Sequence, residues 1–226
     1  MNGINAMMDD NPFAVGFRAN LVDQMTDVPG NLLTSLGRSL HDTDSLAEDL
    51  ARRGALGQVQ IDAIAAVLAG FHAAAPRAGA ADGYGTAAQI AQPAIGNFDQ
   101  IAAPGAQSGA RLERLRAWTE GECRRLQPVF AARQAGGHVR ECHGDLHLGN
   151  IAFIDGRAVP FDCIEFDPAL RWIDVMSEVA FLVMDLLAHG LAAAAWRLLN
   201  AWLEATGDYE GIALLRFYLV YRALVR

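Results

Sequence analysis

An aspartate and an asparagine stand five residues apart in the segment 142–150, which reads CHGDLHLGN. Together with His143, the residues Asp145 and Asn150 fit the pattern His-x-Asp-x-x-x-x-Asn, which is typical of loops that catalyse phosphoryl transfer. In such a loop the carboxylate accepts the proton of an attacking hydroxyl, and the amide oxygen binds a metal ion. We therefore predict Asp145 as a catalytic base and Asn150 as a metal ligand.

A predicted β-hairpin brings a third group to the same place. Two short β-prone runs flank the dipeptide Asp155-Gly156, which is typical of two-residue hairpin turns because both turn positions favour positive φ. Counting outward from this turn pairs Asn150 with Phe161, so that Asp162 lies beside Asn150. Carboxylate and amide oxygens suit Mg²⁺, a hard cation that binds oxygen ligands at about 2.0–2.1 Å. The sequence therefore predicts a Mg²⁺ site formed by Asn150 and Asp162.

The elements that must position these residues are mainly helices, and the fold class we predict is α+β and predominantly α-helical. Apolar residues at helical spacing predict a helix from Asp44 to about Gly54, with its N-cap among residues 42–44, and further helices at about 59–75, 110–134, 179–187, 198–202 and 212–225. Residues 76–105 are rich in Ala, Gly and Pro, which predicts a long connection with short helical pieces. Residues 1–37 have no clear period and are predicted as an irregular N-terminal segment.

The composition is typical of a globular protein and argues against some kinds of partner. The chain has 226 residues, of which 52% are hydrophobic, so a core of ordinary size is expected. A net charge of −8 argues against nucleic acid as a partner, because phosphate backbones bind clustered positive charge. The three cysteines have no framework spacing, and the N-terminus has no signal-peptide pattern. The most apolar stretch is interrupted by Asp185 and His189. We therefore predict a cytoplasmic protein with no membrane partner.

The stretch from Cys142 to Asp174 resembles the aminoglycoside phosphotransferase family, a bacterial branch of the protein-kinase-like fold. From His143 onward it reads HGDLHLGNIAFIDGRAVPFDCIEFDPALRWID. The similarity extends more weakly from about Gly54 to residues 221–223. Within the family the chain is most similar to the subgroup in which such a domain precedes a P-loop ATP-binding domain.

The resemblance implies a function and a set of roles. It implies ATP- and Mg²⁺-dependent transfer of a phosphoryl group to a hydroxyl of a small polar molecule. Asp145 would be the catalytic base, Asn150 and Asp162 would be Mg²⁺ ligands, and His143 and Asp174 would brace the loop. Residues 38–226 would form the C-terminal catalytic lobe. The family name suggests a cationic substrate, although family members act on other hydroxyl compounds as well.

The sequence departs from the family pattern in the part that contacts the nucleotide. Family members have an N-terminal β-rich lobe with a lysine that binds the α- and β-phosphates. Here the 18 basic residues counted as Lys and Arg are all arginines, and about 40 residues precede the first predicted helix. Arg18 or Arg38 would supply charge there, but arginine and lysine are not interchangeable at a tight phosphate site. We therefore expect the β lobe to be missing or strongly reduced. A separate N-terminal lobe or a downstream P-loop domain is the partner that we expect this chain to lack.

Each candidate residue also has a plainer interpretation. Asp145 fits a surface loop and Asn150 fits a hairpin cap, but their shared motif favours the catalytic and metal roles. Asp162 follows an apolar strand, where an unpaired charge is costly, and this favours metal ligation. For Glu165, substrate contact and simple solvent exposure are equally compatible with the sequence. Asp167 precedes a proline and is predicted as a turn former.

A zinc site is an alternative use of the histidines and cysteines around the loop. The candidate ligands are His138, Cys142, His143, His147 and Cys163, but their spacing matches no standard zinc pattern. His72, at the end of a predicted helix, is interpreted as structural. The second functional hypothesis is a non-catalytic kinase-like module that binds or regulates, and it is favoured by the absence of lysine. A third is a fragment that folds only against a missing lobe.

Overall fold

The computed structural model describes residues 46–101 and 109–226. The predicted irregular segment 1–37, with Arg18, and also Arg38 and the predicted N-caps 42–44, lie outside these residues. The helices are α1 (Ala47–Arg52), α2 (Gln58–Ala74), α3 (Ala87–Ile101), α4 (Gly109–Ala135), α5 (Pro168–Arg171), α6 (Val175–Ala188), α7 (Ala192–Thr206) and α8 (Ile212–Val225). The strands are β1 (Val139–Glu141), β2 (Ile151–Ile154), β3 (Arg157–Pro160) and β4 (Trp172–Asp174). Short 3₁₀ helices lie at Ala80–Asp82, Leu148–Asn150 and Tyr209–Gly211.

Helix α6 is the central element of the core. Every residue from Val175 to Leu186 is buried, as expected for a helix that is covered on all sides. Helices α7 and α8 pack against α6, and α2 packs against α7. Trp202, Phe217 and Tyr218 are among the largest fully buried side chains of this core. The 3₁₀ helix Leu148–Asn150, at the end of the loop segment 142–150, contacts this central helix.

The predicted β-hairpin is confirmed, including its register. Strands β2 and β3 are antiparallel and Ile154 pairs with Arg157, as counting from the turn predicts. Asp155 and Gly156 have φ values of 50° and 78°, the left-handed values that this two-residue turn requires. Beyond the last ladder pair, the backbone N–H of Phe161 donates to the backbone oxygen of Asn150 across 3.0 Å. The hairpin therefore ends at Asn150 and Phe161. Asn150 is one predicted metal ligand, and Asp162, the other, directly follows Phe161.

A second antiparallel pair holds the start of the loop segment. Strand β1 pairs with β4 in a register that places Val139 opposite Asp174. The N–H of Cys142 then donates to the oxygen of Arg171 across 2.8 Å. Because β4 runs directly into α6, this pairing joins the entry of the loop to the first turn of the central helix.

One prediction about the N-terminal half is wrong. Residues 76–101 are not a connection with short pieces, because more than half of them belong to the 15-residue helix α3, and the rest of the predicted connection, 102–105, lies outside the described residues. This helix contains Pro93 and still forms, since Ala94 and Phe98 bury its apolar side in the core and the helix packs against α4. Helix α1 begins at Ala47 with Leu46 as its N-cap, and the predicted start at Asp44 lies outside the described residues.

The remaining predicted helices agree with the structure within one or two residues at most of their ends. Gly136 and Gly137 follow α4, and Gly207, with φ of 71°, ends α7. In the described ranges, no helix combines the length and the apolar character needed to cross a membrane.

Candidate functional site

The loop and the hairpin bring Asp145, Asn150 and Asp162 together. The side-chain nitrogen of Asn150 donates to the backbone oxygen of Asp145 across 3.0 Å. Because that nitrogen faces the carbonyl, the amide oxygen of Asn150 must point elsewhere. Asp162 follows Phe161, whose N–H is bonded to Asn150. Hydrogen bonds therefore join the backbone of Asp145 to Asn150 and Asn150 to Phe161, and Asp162 is the next residue after this pair.

Asp162 has an unusual backbone and an open side chain. Its φ is 60°, and Asp155 in the hairpin turn is the other non-glycine residue with positive φ among the described residues. A non-glycine residue held in this region costs free energy and is often found at functional sites. The side chain is exposed, and it forms no hydrogen bond or ion pair with any residue that the structure describes. The expectation that burial would make its charge costly is therefore wrong, because solvent reaches the carboxylate.

Asp145 is half-buried and faces His147. Oδ2 of Asp145 lies 3.6 Å from Nε2 of His147. The other ring nitrogen, Nδ1, accepts a hydrogen bond from the N–H of Gly149 across 3.1 Å, so the proton of the neutral ring is on Nε2. This contact with His147 holds the pKa of Asp145 below its usual value, against the opposing effect of burial. Asp145 is therefore a carboxylate at neutral pH.

His143 connects the loop to the hairpin from a buried position. Its Nε2 lies 2.7 Å from the backbone oxygen of Phe161, which only accepts, so Nε2 is the donor. Its Nδ1 lies 3.4 Å from the N–H of Asp145 and is placed to accept from it. Burial lowers the pKa of His143, which matches a neutral ring with one donor and one acceptor.

Asp174 is buried at the N-terminus of the central helix. Its carboxylate accepts from the N–H of Met176 across 2.8 Å and so caps α6. It also accepts two hydrogen bonds from Arg133, which donates two more to Asp208 at 2.7 Å each. Burial alone would lower the pKa of Arg133, but these bonds to Asp208 and Asp174 raise it. The side-chain partners of Asp174 are thus Arg133 and the first turn of α6, and none of these contacts is with the loop segment 142–150.

Gly144, the residue before Asp145, is held on both sides of its backbone. Its N–H donates to Oε1 of Glu178 across 2.8 Å, and its oxygen accepts from Arg222 across 3.1 Å. Its φ is 88°, and a Cβ at this position would lie 2.8 Å from the backbone oxygen of Leu170. The position therefore requires glycine for both its conformation and its space.

A second carboxylate of α6 holds the other end of the loop. Oδ2 of the buried Asp185 accepts from the N–H of Leu148 across 2.9 Å. Asp185 follows Glu178 by seven residues, which places both carboxylates on the same face of the helix. Arg226 lies 2.8 Å from the other oxygen of Asp185. Helix α6 thus fixes peptide groups before and after Asp145.

The segment after Asp162 presents exposed side chains. Glu165 is exposed, and the neighbouring Phe166 is 84% exposed. Asp167 caps α5 by accepting from the N–H of Ala169 across 2.9 Å, which agrees with its predicted role in a turn. No residue that the structure describes forms a hydrogen bond or an ion pair with the Glu165 carboxylate, so it is open to a ligand or to water.

The residues of the zinc alternative have other partners. His143 and His147 are bonded within the loop and hairpin, His138 lies 3.5 Å from Asp208, and Cys142 is buried against the oxygen of Ile173. Burial raises the pKa of Cys163 to about 12, so its thiol stays protonated. The pattern of contacts favours the kinase-like interpretation of these histidines.

Sequence reasoning missed the buried charges that support the loop, which are Glu178, Asp185, Arg133 and Arg222. A signal was present for two of them, since Glu178 and Asp185 interrupt an apolar helix at a spacing of seven residues. Their partners lie 34 and 37 residues away in sequence, so the spacing alone could not identify what they bind.

The comparisons with known proteins point to a kinase-like fold. No family model matches the chain. The uncharacterized proteins Rv2004c of Mycobacterium tuberculosis and Mb2027c of Mycobacterium bovis are each 32% identical to it over 168 residues, which is 74% of this chain and 34% of the relative. The chain thus spans about a third of the length of these curated relatives.

Two solved structures are similar to the chain. Glucosamine kinase in complex with glucosamine, ADP and inorganic phosphate is 25% identical with a TM-score of 0.50, over 78% of this chain and 51% of that chain. A second structure, glucosamine kinase in crystal form A, is 22% identical with a TM-score of 0.53, over 79% and 52%. The fold is thus the predominantly α-helical α+β fold that the sequence predicts, and it is similar to about half of a sugar kinase.

Proposed function

We propose that this chain carries the phosphoryl-transfer residues of an ATP- and Mg²⁺-dependent small-molecule kinase. The observation that carries the proposal is the hydrogen bond from Asn150 to the Asp145 carbonyl, combined with the hairpin register that places Asp162 next to Asn150. The similarity to glucosamine kinase with bound ADP supports it. The membership of the aminoglycoside phosphotransferase family that the sequence suggests is part of this proposal.

The residues fit a Mg²⁺ ion by their chemistry. Asn150 offers an amide oxygen whose nitrogen is already bonded, and Asp162 offers an exposed carboxylate without a partner among the described residues. Oxygen ligands of this kind, completed by water and phosphate, are those that Mg²⁺ binds. When bound, the ion would neutralise the negative charge that develops on the transferred phosphoryl group.

Asp145 is the group that handles the proton. A hydroxyl oxygen of the acceptor forms the new bond to the γ-phosphorus, the bond from that phosphorus to the β-phosphate oxygen breaks, and the hydroxyl proton moves to Asp145. The carboxylate is ionised because His147 lowers its pKa, so it is ready to accept this proton. His147 and the braced backbone of Gly144 hold it in place.

The acceptor we propose is an amino sugar or a similar small polyol. The solved neighbour binds glucosamine, which carries both hydroxyl groups and an ammonium group. The exposed carboxylate of Glu165 lies three residues after Asp162 and offers a negative charge to such a cation. Because the sequence has no lysine, we propose that arginine or another chain supplies the remaining charge to the nucleotide phosphates.

The test is a coupled ADP-release assay with Mg²⁺-ATP and a panel of amino sugars, neutral sugars and polyols. We expect acceptor-dependent ADP release that falls by about 10²–10⁴-fold in Asp145→Asn. Calorimetric titration with Mg²⁺-ATP should show binding that Asp162→Asn weakens strongly. Asp155→Asn, in the hairpin turn, is the matched control for both measurements and should behave as the parent chain.

The absence of lysine favours a second candidate, a kinase-like module that binds Mg²⁺-ATP without transferring phosphate. Mg²⁺-ATP binding that depends on Asp162, with no ADP release for any acceptor, would establish this second function. An absence of binding in the parent chain would reject both.

A further inference from the structure

A chain of buried hydrogen bonds leads from the core to the residue before Asp145. Nε1 of Trp202 lies 3.1 Å from Nδ1 of His72, and Nε2 of His72 lies 2.8 Å from Oε2 of Glu178. The second oxygen of Glu178 then accepts from the N–H of Gly144 across 2.8 Å. Trp202, His72 and Glu178 are at most 3% exposed, and they come from α7, α2 and α6. Side chains from three helices therefore form one chain of hydrogen bonds, which ends at the N–H of Gly144.

The direction of each hydrogen bond in this chain is fixed by chemistry. The indole N–H of Trp202 only donates, so Nδ1 of His72 must accept. The proton of the neutral imidazole then sits on Nε2, from which it is donated to Glu178. Glu178 accepts at both of its oxygens, since the N–H of Gly144 is also a donor. Trp202 thereby selects the tautomer of His72 that Glu178 requires.

A metal site at this place is the competing interpretation. Ligand atoms of His72, Cys142 and Glu178 lie within 4.8 Å of one another, and all three residues are buried. Two ligands of one tetrahedral Zn²⁺ with bonds near 2.0–2.1 Å would be about 3.3 Å apart. The 2.8 Å separation between His72 and Glu178 is a hydrogen-bond distance, and Nδ1 of His72 is already occupied by Trp202. The geometry therefore favours a proton between these two residues over a metal ion.

We propose that Trp202, His72 and Glu178 form a relay with a fixed hydrogen-bond direction, and that Glu178 is a positioning residue for the catalytic loop. The relay sets the position of Asp145 by holding the N–H of Gly144, while Arg222 holds the oxygen of the same residue. Its catalytic consequence rests on the function proposed above for Asp145.

A neutral amide at position 178 would conflict with this direction. If the amide oxygen of Glu178→Gln accepts from Gly144, its NH₂ group faces the N–H of His72. His72 can relieve that conflict only by moving its proton to Nδ1, where it meets the N–H of Trp202. If the amide is turned around, its NH₂ group faces the N–H of Gly144 instead. Every arrangement leaves two donors opposed unless the donor of Trp202 is removed.

The proposal therefore predicts a compensating pair of substitutions. Glu178→Gln should lower kcat by more than about tenfold, with little change in the KM for Mg²⁺-ATP, because the peptide group before Asp145 is displaced while Asp185 still holds Leu148, close to the proposed metal ligand Asn150. Trp202→Phe alone should have a small effect on kcat. The double variant should recover most of the loss, although it has one native hydrogen bond fewer than Glu178→Gln. Trp196→Phe, on the exposed part of α7, is the matched control and should give no recovery.

Nitrogen-15 NMR of the imidazole rings tests the relay without any need for activity. We expect His72 to carry its proton on Nε2 in the parent chain and on Nδ1 in the double variant. A proton on Nδ1 in the parent chain, or a double variant no better than Glu178→Gln in both kcat and tautomer, would overturn the relay. If Glu178→Gln does not fold, the tautomer of the parent chain still decides. If the parent chain has the expected tautomer but no kinase activity, the relay stands and the proposed function fails.

Discussion

The side-chain nitrogen of Asn150 lies 3.0 Å from the backbone oxygen of Asp145, five residues earlier in the loop. This bond ties the orientation of the Asn150 amide to the backbone of Asp145, whose carboxylate is the proposed catalytic base. A metal ion bound by the amide oxygen would therefore be placed relative to Asp145 by a single short contact.

The first prediction concerns this contact. Asn150→Asp keeps an oxygen ligand but replaces the donor by a second oxygen facing the Asp145 carbonyl, and two acceptors repel each other at this distance. We expect the affinity for Mg²⁺-ATP to fall by at least about tenfold, which corresponds to 1.4 kcal/mol. Titration calorimetry at several Mg²⁺ concentrations measures the change. Asn200→Asp, on the exposed side of α7, is the control. Unchanged affinity in Asn150→Asp would argue against the proposed role of Asn150.

The second prediction concerns Arg133, which lies between the buried carboxylates of Asp174 and Asp208. Arg133→Ala removes the cation that neutralises two buried carboxylates, so the free energy of unfolding should fall by about 3–5 kcal/mol. Urea unfolding followed by circular dichroism gives this value. The control is Arg197→Ala, which breaks an exposed ion pair with Asp62 and should change the free energy of unfolding little. Equal effects of the two substitutions would contradict the assignment.

The third prediction concerns Gly144. Gly144→Ala places a Cβ 2.8 Å from a backbone oxygen at a φ of 88°, so we expect a loss of about 1–3 kcal/mol in the free energy of unfolding. Catalytic activity should fall by more than the loss of folded protein explains, because Asp145 moves with the displaced backbone. Gly70→Ala is the matched control, since Gly70 lies within α2 with open space around it. This control should become more stable by about 0.5–1 kcal/mol.

The fourth prediction concerns pH. Burial alone would raise the pKa of Glu178, but the hydrogen bond from His72 and the other contacts lower it below the usual value. A lowered folded-state pKa gives stability that is present above the unfolded-state pKa, near 4.3, and is lost as the pH falls through the folded-state value. The free energy of unfolding should therefore drop more steeply between about pH 5 and pH 3 in the parent chain than in Glu178→Gln. Equal slopes in the two proteins would show that Glu178 does not titrate as proposed.

The register of the hairpin could be predicted for each residue, because a two-residue turn fixes the pairing of the residues on either side of it. Once Asp155-Gly156 is placed, the contact between Asn150 and Phe161 follows by counting. The candidate site was therefore accessible from sequence alone. Local spacing and one turn contained the necessary information.

Helix α3 and the buried polar contacts were not accessible in the same way. The helix forms despite Pro93 because Phe98 and Ala94 find a buried place in the core, and this gain belongs to tertiary packing. The bond between His72 and Glu178 joins residues 106 positions apart. A local pattern marks such residues as unusual on an apolar helix, but it does not name their partners.

The attachment of the loop to α6 has a consequence for thermal behaviour. The N–H groups of Gly144 and Leu148 are bonded to carboxylates of the most buried helix, so they open to solvent only when that helix moves. Their hydrogen exchange should then be as slow as that of α6 itself, within a single cooperative unit. On heating, the loop would keep its shape up to the temperature at which the whole core melts, and heat inactivation would follow global unfolding.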